Sequence, residues 1–206
     1  YIIPGNDDAI RSCSLIVKAI ADGIAAGQSK VTPKEMAAGA NGAEPHHLSD
    51  ETKIEQGDVL ILDYGCSVDG YLSDITRTVV CGEPPAEALK VYETVYESQM
   101  AGRSAIRPGT ACQEVDRAAR KVIEEAGYGE FFMHRTGHGI GMRGHEEPFI
   151  VEGNGLPLEP GNCFSVEPGI YLPGRFGVRI ENIHACTEDG YVSLNAEPSP
   201  TLISCG

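Results

Sequence analysis

Val59-Leu60-Ile61-Leu62-Asp63-Tyr64, then, after a glycine-bearing link, Ser73-Asp74-Ile75-Thr76-Arg77-Thr78-Val79-Val80-Cys81, is the stretch on which the fold turns. Each run is short, apolar or β-branched, and bounded by turn residues, which predicts two buried strands over 59–64 and 76–81. Side chains alternate along a strand, so Val59, Ile61 and Asp63 share a face. An aspartate ending such a run is costly to bury as a charge unless something compensates it. Asp74 follows eleven residues later, and a hairpin would bring the two carboxylates together. If this pair stood alone, a plainer reading would be preferred: Asp63 capping a turn at Gly65, and Asp74 in a surface loop.

The pattern recurs. Residues 163–171 and 178–186 predict a second pair of strands, with Glu167 interrupting the first and Glu181 the second. Four acids in two buried hairpins repel one another strongly unless cations neutralise them. Two divalent ions would bring four carboxylates to zero. Arg179 shares a face with Glu181 in a continuous strand, so a salt bridge is the simpler reading there, but it accounts for one acid only.

Between the two pairs lies His134-Arg-Thr-Gly137-His138-Gly139-Ile-Gly141-Met-Arg-Gly144-His145-Glu-Glu-Pro148, which holds three of the six histidines. Glycines at 137, 139, 141 and 144 argue against helix, and H-E-x-x-H is absent. An irregular strand that a backbone or ligand approaches closely fits better. The G-x-G-x-x-G match at 139–144 is weak as a dinucleotide fingerprint, because Pro148 stops any following helix and no βαβ unit surrounds it. Pro45-His46-His47 by itself is an ordinary loop. Mixed carboxylate and imidazole donors suit zinc, manganese, cobalt or iron. A pair of such ions positioning a bridging hydroxide would hydrolyse an amide or ester. The residues alone reach a metal hydrolase and no substrate.

Further out, Asn6-Asp7-Asp8 opens a helix with Ile10, Cys13, Val17, Ile20 and Ile24 on one stripe and Gly27 at its end. Thr32-Pro33-Lys34-Glu35 reads as a capping box starting a second helix, which stops abruptly at Gly39. The passage from Met36 to Gly39 therefore looks like a deletion or missing residues, with a strand expected before Pro45. Pro84-Pro85 start a helix with Leu89, Tyr92, Val95, Tyr96 and Met100 on its stripe. Thr110 to Gln113 is another capping box, for a helix with Val115, Ala119, Val122 and Ile123 on its face, stopped by Gly127. The order helix, capped helix, strand pair thus occurs twice, as a duplicated α+β unit would give.

Leu62-Asp63-Tyr64-Gly65, Ser73-Asp74-Ile75-Thr76-Arg77-Thr78, Gly137-His138-Gly139-Ile140-Gly141, Glu167-Pro168-Gly169-Ile170-Tyr171 and Arg179-Ile180-Glu181-Asn182, in this order, resemble the signature of the pita-bread metallopeptidases. The resemblance covers roughly residues 40–195. The sequences around both acidic motifs look like the Xaa-Pro branch, prolidase and aminopeptidase P, and differ from methionine aminopeptidases there. It implies an α+β pita-bread fold of two pseudo-symmetric halves, with a curved antiparallel sheet and outer helices. It implies two divalent ions, with manganese expected and cobalt, zinc or iron as alternatives. The ligands would be Asp63, Asp74, His138, Glu167 and Glu181, with Asp74 and Glu181 bridging and Glu167 also helping to activate the water. His145 would stabilise the substrate carbonyl or the tetrahedral intermediate. His134 and His46 would line the substrate pocket, and Arg179 would orient Glu181 or touch substrate. The expected substrate is a peptide with an Xaa-Pro bond. Other readings are a methionyl aminopeptidase, a hydrolase of a small amide, or a peptide-binding module without catalysis. Residues 1–206 are expected to be one catalytic domain lacking the branch's usual N-terminal domain, and a homodimer is an assembly the resemblance allows.

Bulk properties agree. At 206 residues, 41% hydrophobic and 22% charged, the chain reads as globular and large enough to bury a full core. Sixteen basic against 30 acidic residues, net −14, repel phosphate backbones and anionic lipid, so neither nucleic acid nor membrane is an expected partner. There is no apolar run of eighteen residues and no signal-peptide profile. Seven irregularly spaced cysteines without a C-x-x-C pair read as thiols in a reducing cytoplasm.

Overall fold

A computed structural model of the chain describes residues 33–45, 47 and 53–205. The helix expected over 6–27, Cys13 and His46 lie outside the described residues. In chain order the strands are β1 (Pro33–Ala38), β2 (Val59–Tyr64), β3 (Ser67–Val68), β4 (Tyr71–Leu72) and β5 (Ile75–Cys81). Helices α1 (Ala86–Ser104) and α2 (Cys112–Glu125) follow. Then come β6 (Gly137–Gly139), β7 (Glu146–Ile150), β8 (Cys163–Val166), β9 (Gly169–Leu172), β10 (Phe176–Arg179), β11 (Asn182–Cys186), β12 (Tyr191–Ser193) and β13 (Ile203–Cys205).

The α+β class holds, and the two acidic strand pairs fall in different sheets. One sheet runs β1-β2-β5-β13, with Asp63 opposite Thr76 across the antiparallel β2–β5 ladder and β13 added parallel to β5. The other runs β12-β11-β8-β6-β7, and β9 and β10 form a hairpin of their own. Neither of the long strands expected over 163–171 and 178–186 is continuous. The first breaks at Glu167-Pro168, where proline offers no N–H to a ladder and the Glu167 N–H goes to Thr136 O at 2.8 Å. The second breaks at Ile180-Glu181, where Glu181 N donates to Thr76 O at 3.1 Å and forms an isolated bridge to β5. Each glutamate thus stands where the chain leaves one ladder for another. The seam between the sheets passes through Thr76 and Glu181.

Within the segment read as a capped helix, Pro33–Ala38 is instead β1, and Thr32 lies outside the described residues. Met36, Ala37 and Ala38 pair with Leu62, Ile61 and Leu60, so a full ladder outweighs a local cap signal. This is also the strand expected before Pro45, and the chain passes on through a 3-10 turn at Gly39–Ala43. The Thr110 box is not formed. Helix α2 starts at Cys112, and its N-terminal N–H groups of Cys112 and Gln113 donate to the carbonyls of Leu156 and Asn154, so a loop does the capping. Gly127, at φ 83°, ends the helix as expected.

One core lies between α1, α2 and the sheets: Val59 and Val80, then Val91, Tyr92, Val95 and Ile123, with Ile170, Val178 and Ile180. A second joins Ile106, Cys112, Val115 and Ile150 to Phe164 and Val166. Of the stripe expected on α1, Tyr92 and Val95 face the core but Leu89 does not. Leu89 is 45% exposed, while Ala88, Val91, Tyr92, Val95 and Gly102 face inward. Small residues at the ends of that stripe permit close approach, and a side chain at Gly102 would meet Val166 and Ala119. No described helix is long and apolar enough to cross a membrane.

Candidate metal centre

Asp74, His138 and Glu181 each present a ligand atom within 4.8 Å of the others, and each is buried. Glu167 joins them, with Oε1 3.2 Å from His138 Nε2. Asp63 lies alongside, its Oδ2 accepting from Arg179 Nη2 at 2.9 Å. The five residues come from the end of β2, the start of β5, the middle of β6 and the two strand breaks.

Local structure fixes each donor. Asp74 follows a closed turn in which Ser73 N donates to Cys66 O at 2.9 Å and Cys66 N donates to Ser73 Oγ at 3.0 Å. Asn195 Nδ2 holds the Asp74 carbonyl at 3.2 Å. Glu181 Oε2 accepts from Thr76 Oγ1 at 2.7 Å. His138 N donates to Ser165 Oγ, and that hydroxyl donates to Glu167 Oε1 at 3.0 Å. His138 Nδ1 lies 3.0 Å from its neighbour's carbonyl, which favours a proton on Nδ1 and leaves Nε2 facing the carboxylates. Glycine is required on either side of that histidine. A Cβ at Gly137 would strike Ser165 O, and one at Gly139 would strike the Glu147 carbonyl.

The charges are unbalanced without a cation. Burial, then the charges of Glu167, Asp74 and Asp63, push the Glu181 carboxyl well above its usual range, against the hydrogen bond from Thr76. Burial also acts to raise Glu167, but the His138 hydrogen bond, then the electrostatic influence of His134, His138 and Arg179, overcome it and hold that carboxyl at about 2. Asp74, His138 and Glu181, with Glu167 against His138 and Asp63 nearby, offer mixed carboxylate and imidazole donors of a kind suited to a divalent transition metal. The residues present therefore fit metal ions.

Around the cluster, the exposed His145 ring centroid stands 4.0 Å from that of His138. His134 Nε2 is 2.7 Å from Tyr171 Oη, which also accepts from Arg179 Nη1 at 3.1 Å. Arg179 does not bond to Glu181 as a continuous strand required. The break at Ile180 separates their faces, and the guanidinium turns to Asp63, Tyr171, Thr76 Oγ1 and Pro45 O. Sequence reasoning missed Tyr171, Thr76, Ser165 and Asn195 as supports. Tyr171 and Thr76 stood inside quoted motifs, whereas nothing local marked Ser165 or Asn195.

Residues 13–188 match the metallopeptidase family M24. The chain belongs to that family. It is 45% identical over 204 residues to the probable dipeptidase PepE of Mycobacterium tuberculosis, covering 98% of this chain and 53% of that protein. It is 47% identical over 154 residues to an Xaa-Pro dipeptidase of Lactobacillus helveticus, covering 75% of this chain and 42% of the other. A solved prolidase from Thermococcus sibiricus superposes with a TM-score of 0.80 at 48% identity, covering 82% of this chain and 46% of that one. The chain spans about half the length of the curated relatives it matches. The fold of this M24 member is the pita-bread fold, and the resemblance to prolidase and aminopeptidase P is borne out.

Proposed function

We propose that residues 1–206 act as one catalytic domain of a peptidase that uses two divalent metal ions to cleave Xaa-Pro bonds. The convergence of Asp74, His138 and Glu181 within 4.8 Å, with Glu167 against His138, carries this reading. Asp63, Asp74, His138, Glu167 and Glu181 would hold the ions, with Asp74 and Glu181 shared between them. Bound there, such ions supply Lewis acidity and water acidic enough to react at neutral pH. Glu167, standing against His138, would also help to activate the water. His145, exposed beside His138, would donate to the scissile carbonyl as it gains negative charge. His134 and Arg179, joined through Tyr171, would form the wall against which the peptide lies, and Asp63 would be fixed by Arg179. His46 belongs to the same pocket in this reading, as does a peptide substrate of dipeptide or longer length. Manganese is the metal expected, the cytoplasm the compartment, and a homodimer the assembly to look for.

The test is to strip the protein with chelator, restore manganese, and follow release of the N-terminal residue from Xaa-Pro and Xaa-Ala peptides. Metal-dependent cleavage confined to prolyl peptides, abolished in Asp74→Asn, is the expected result. Cleavage unaffected by metal removal, or equal on Xaa-Ala, would overturn the proposal.

A further inference from the structure

Helix α2 carries a fully buried carboxylate that the proposed chemistry does not use. Asp116 Oδ1 accepts from Thr136 Oγ1 at 2.7 Å, Thr136 N at 3.1 Å and Arg120 Nη2 at 3.0 Å. Its Oδ2 accepts from Arg120 Nε at 3.0 Å. Arg120, one turn along the helix, also donates to the carbonyls of Phe132 at 3.0 Å and His134 at 2.9 Å, and its guanidinium covers the Phe132 ring at 4.1 Å. An ion pair spaced by four residues stabilises a helix by only a few tenths of a kcal/mol, and burying it is costly. What this pair holds is the main chain of 132–136.

That segment leads directly into the cluster. It carries His134 and runs into β6, where His138 stands. Thr136 O accepts from Glu167 N at 2.8 Å, so Thr136, itself fully buried, is tied on one side to Asp116 and on the other to Glu167. We infer that Asp116, Arg120 and Thr136 form a positioning clamp that sets His138, Glu167 and His134 in register for metal and substrate without touching either. This rests on the reading of the metal centre given above. Ligand distances tolerate only a few tenths of an ångström, and loss of residues that orient metal ligands typically weakens metal binding about 10- to 100-fold.

Thr136→Val removes the hydroxyl at nearly constant volume, Thr136→Ser keeps it, and Arg120→Lys keeps the charge but loses the fork onto Phe132 and His134. Thr94→Val, at a buried threonine of α1 whose hydroxyl donates to Lys90 O, serves as a structural control. Each chelator-stripped protein is titrated with manganese by calorimetry, and kcat and KM are measured on an Xaa-Pro dipeptide. The expected result is that one of two ions binds at least about tenfold more weakly in Thr136→Val, with a smaller loss in Arg120→Lys. Thr136→Ser and Thr94→Val should bind as the parent does. If Thr136→Val and Arg120→Lys both bind two ions with the parent's affinities, the clamp is refuted while the metal centre stands. If the parent itself binds no manganese, the metal centre fails and the clamp with it.

Discussion

Arg179 and His184 are both buried cationic residue types, and their surroundings treat them in opposite ways. Arg179 keeps its charge, because Tyr171, Asp63 and Glu167 favour the guanidinium more than burial opposes it. His184 loses its charge. It is fully buried on β11, with Nδ1 3.0 Å from Ser193 Oγ and Nε2 3.2 Å from Gln99 Nε2, which suits a neutral ring. Burial, then the positive charge of Arg103, lower it to about 3. A histidine depressed on folding binds its proton more readily in the unfolded chain. Its contribution is therefore present above the unfolded value near 6.5 and is lost as pH falls toward 3. Stability of the metal-stripped protein should fall more steeply in the parent than in His184→Asn, by about 1.4 kcal/mol per pH unit between about pH 5.5 and pH 4. Urea titrations with chelator present measure this directly. Equal slopes would mean His184 is not held neutral.

At the scale of elements, β2 and β5 were legible because both are buried on two faces and bounded by turns, and the structure gives 59–64 and 75–81. The breaks at Glu167 and Glu181 were not legible. The two glutamates read as interruptions within continuous strands; Pro168 was the one local sign of a break, and the hydrogen bonds to Thr136 and Thr76 that complete the breaks come from positions distant in sequence. The same applies to β1, whose ladder with β2 no local pattern announced, and to α2, whose N-terminal donors are met by the 154–156 loop. For α1 the sequence predicted the helix and set Tyr92 and Val95 inward, but it included the exposed Leu89 and passed over the inward Ala88, Ser98, Gln99 and Gly102, which are small or polar. Two substitutions separate the exposed member of the expected stripe from a buried one. Leu89→Ala should change stability by less than about 0.5 kcal/mol, whereas Val95→Ala should cost about 2 kcal/mol. Chemical denaturation of both variants checks it, and a costlier Leu89→Ala would contradict the exposed placement of Leu89.

Over the whole molecule, the site is a seam. Arg77 bridges it, donating to the carbonyls of Thr76 and Glu181 at 2.9 and 2.7 Å and to Asn182 Oδ1 and Ala196 O at 2.8 and 2.6 Å. Asp63 and Asp74 arrive from one sheet, and His138, Glu167 and Glu181 from the other or its junctions, so the centre exists only when both sheets are assembled. The candidate ligand residues stood out in the sequence because acids and histidines in apolar surroundings are conspicuous. Their supports could not, because Ser165, Asn195 and Asp116 act through contacts that only the tertiary structure creates. The central claim is that these carboxylates and His138 hold two metal ions. Equilibrium dialysis against manganese followed by atomic absorption tests it most directly. The account expects about two ions per chain in the parent and, because Asp74 would be shared between them in the proposed site, fewer than one in Asp74→Asn. A parent that retains no manganese, or an Asp74→Asn variant that retains as much as the parent, would contradict it.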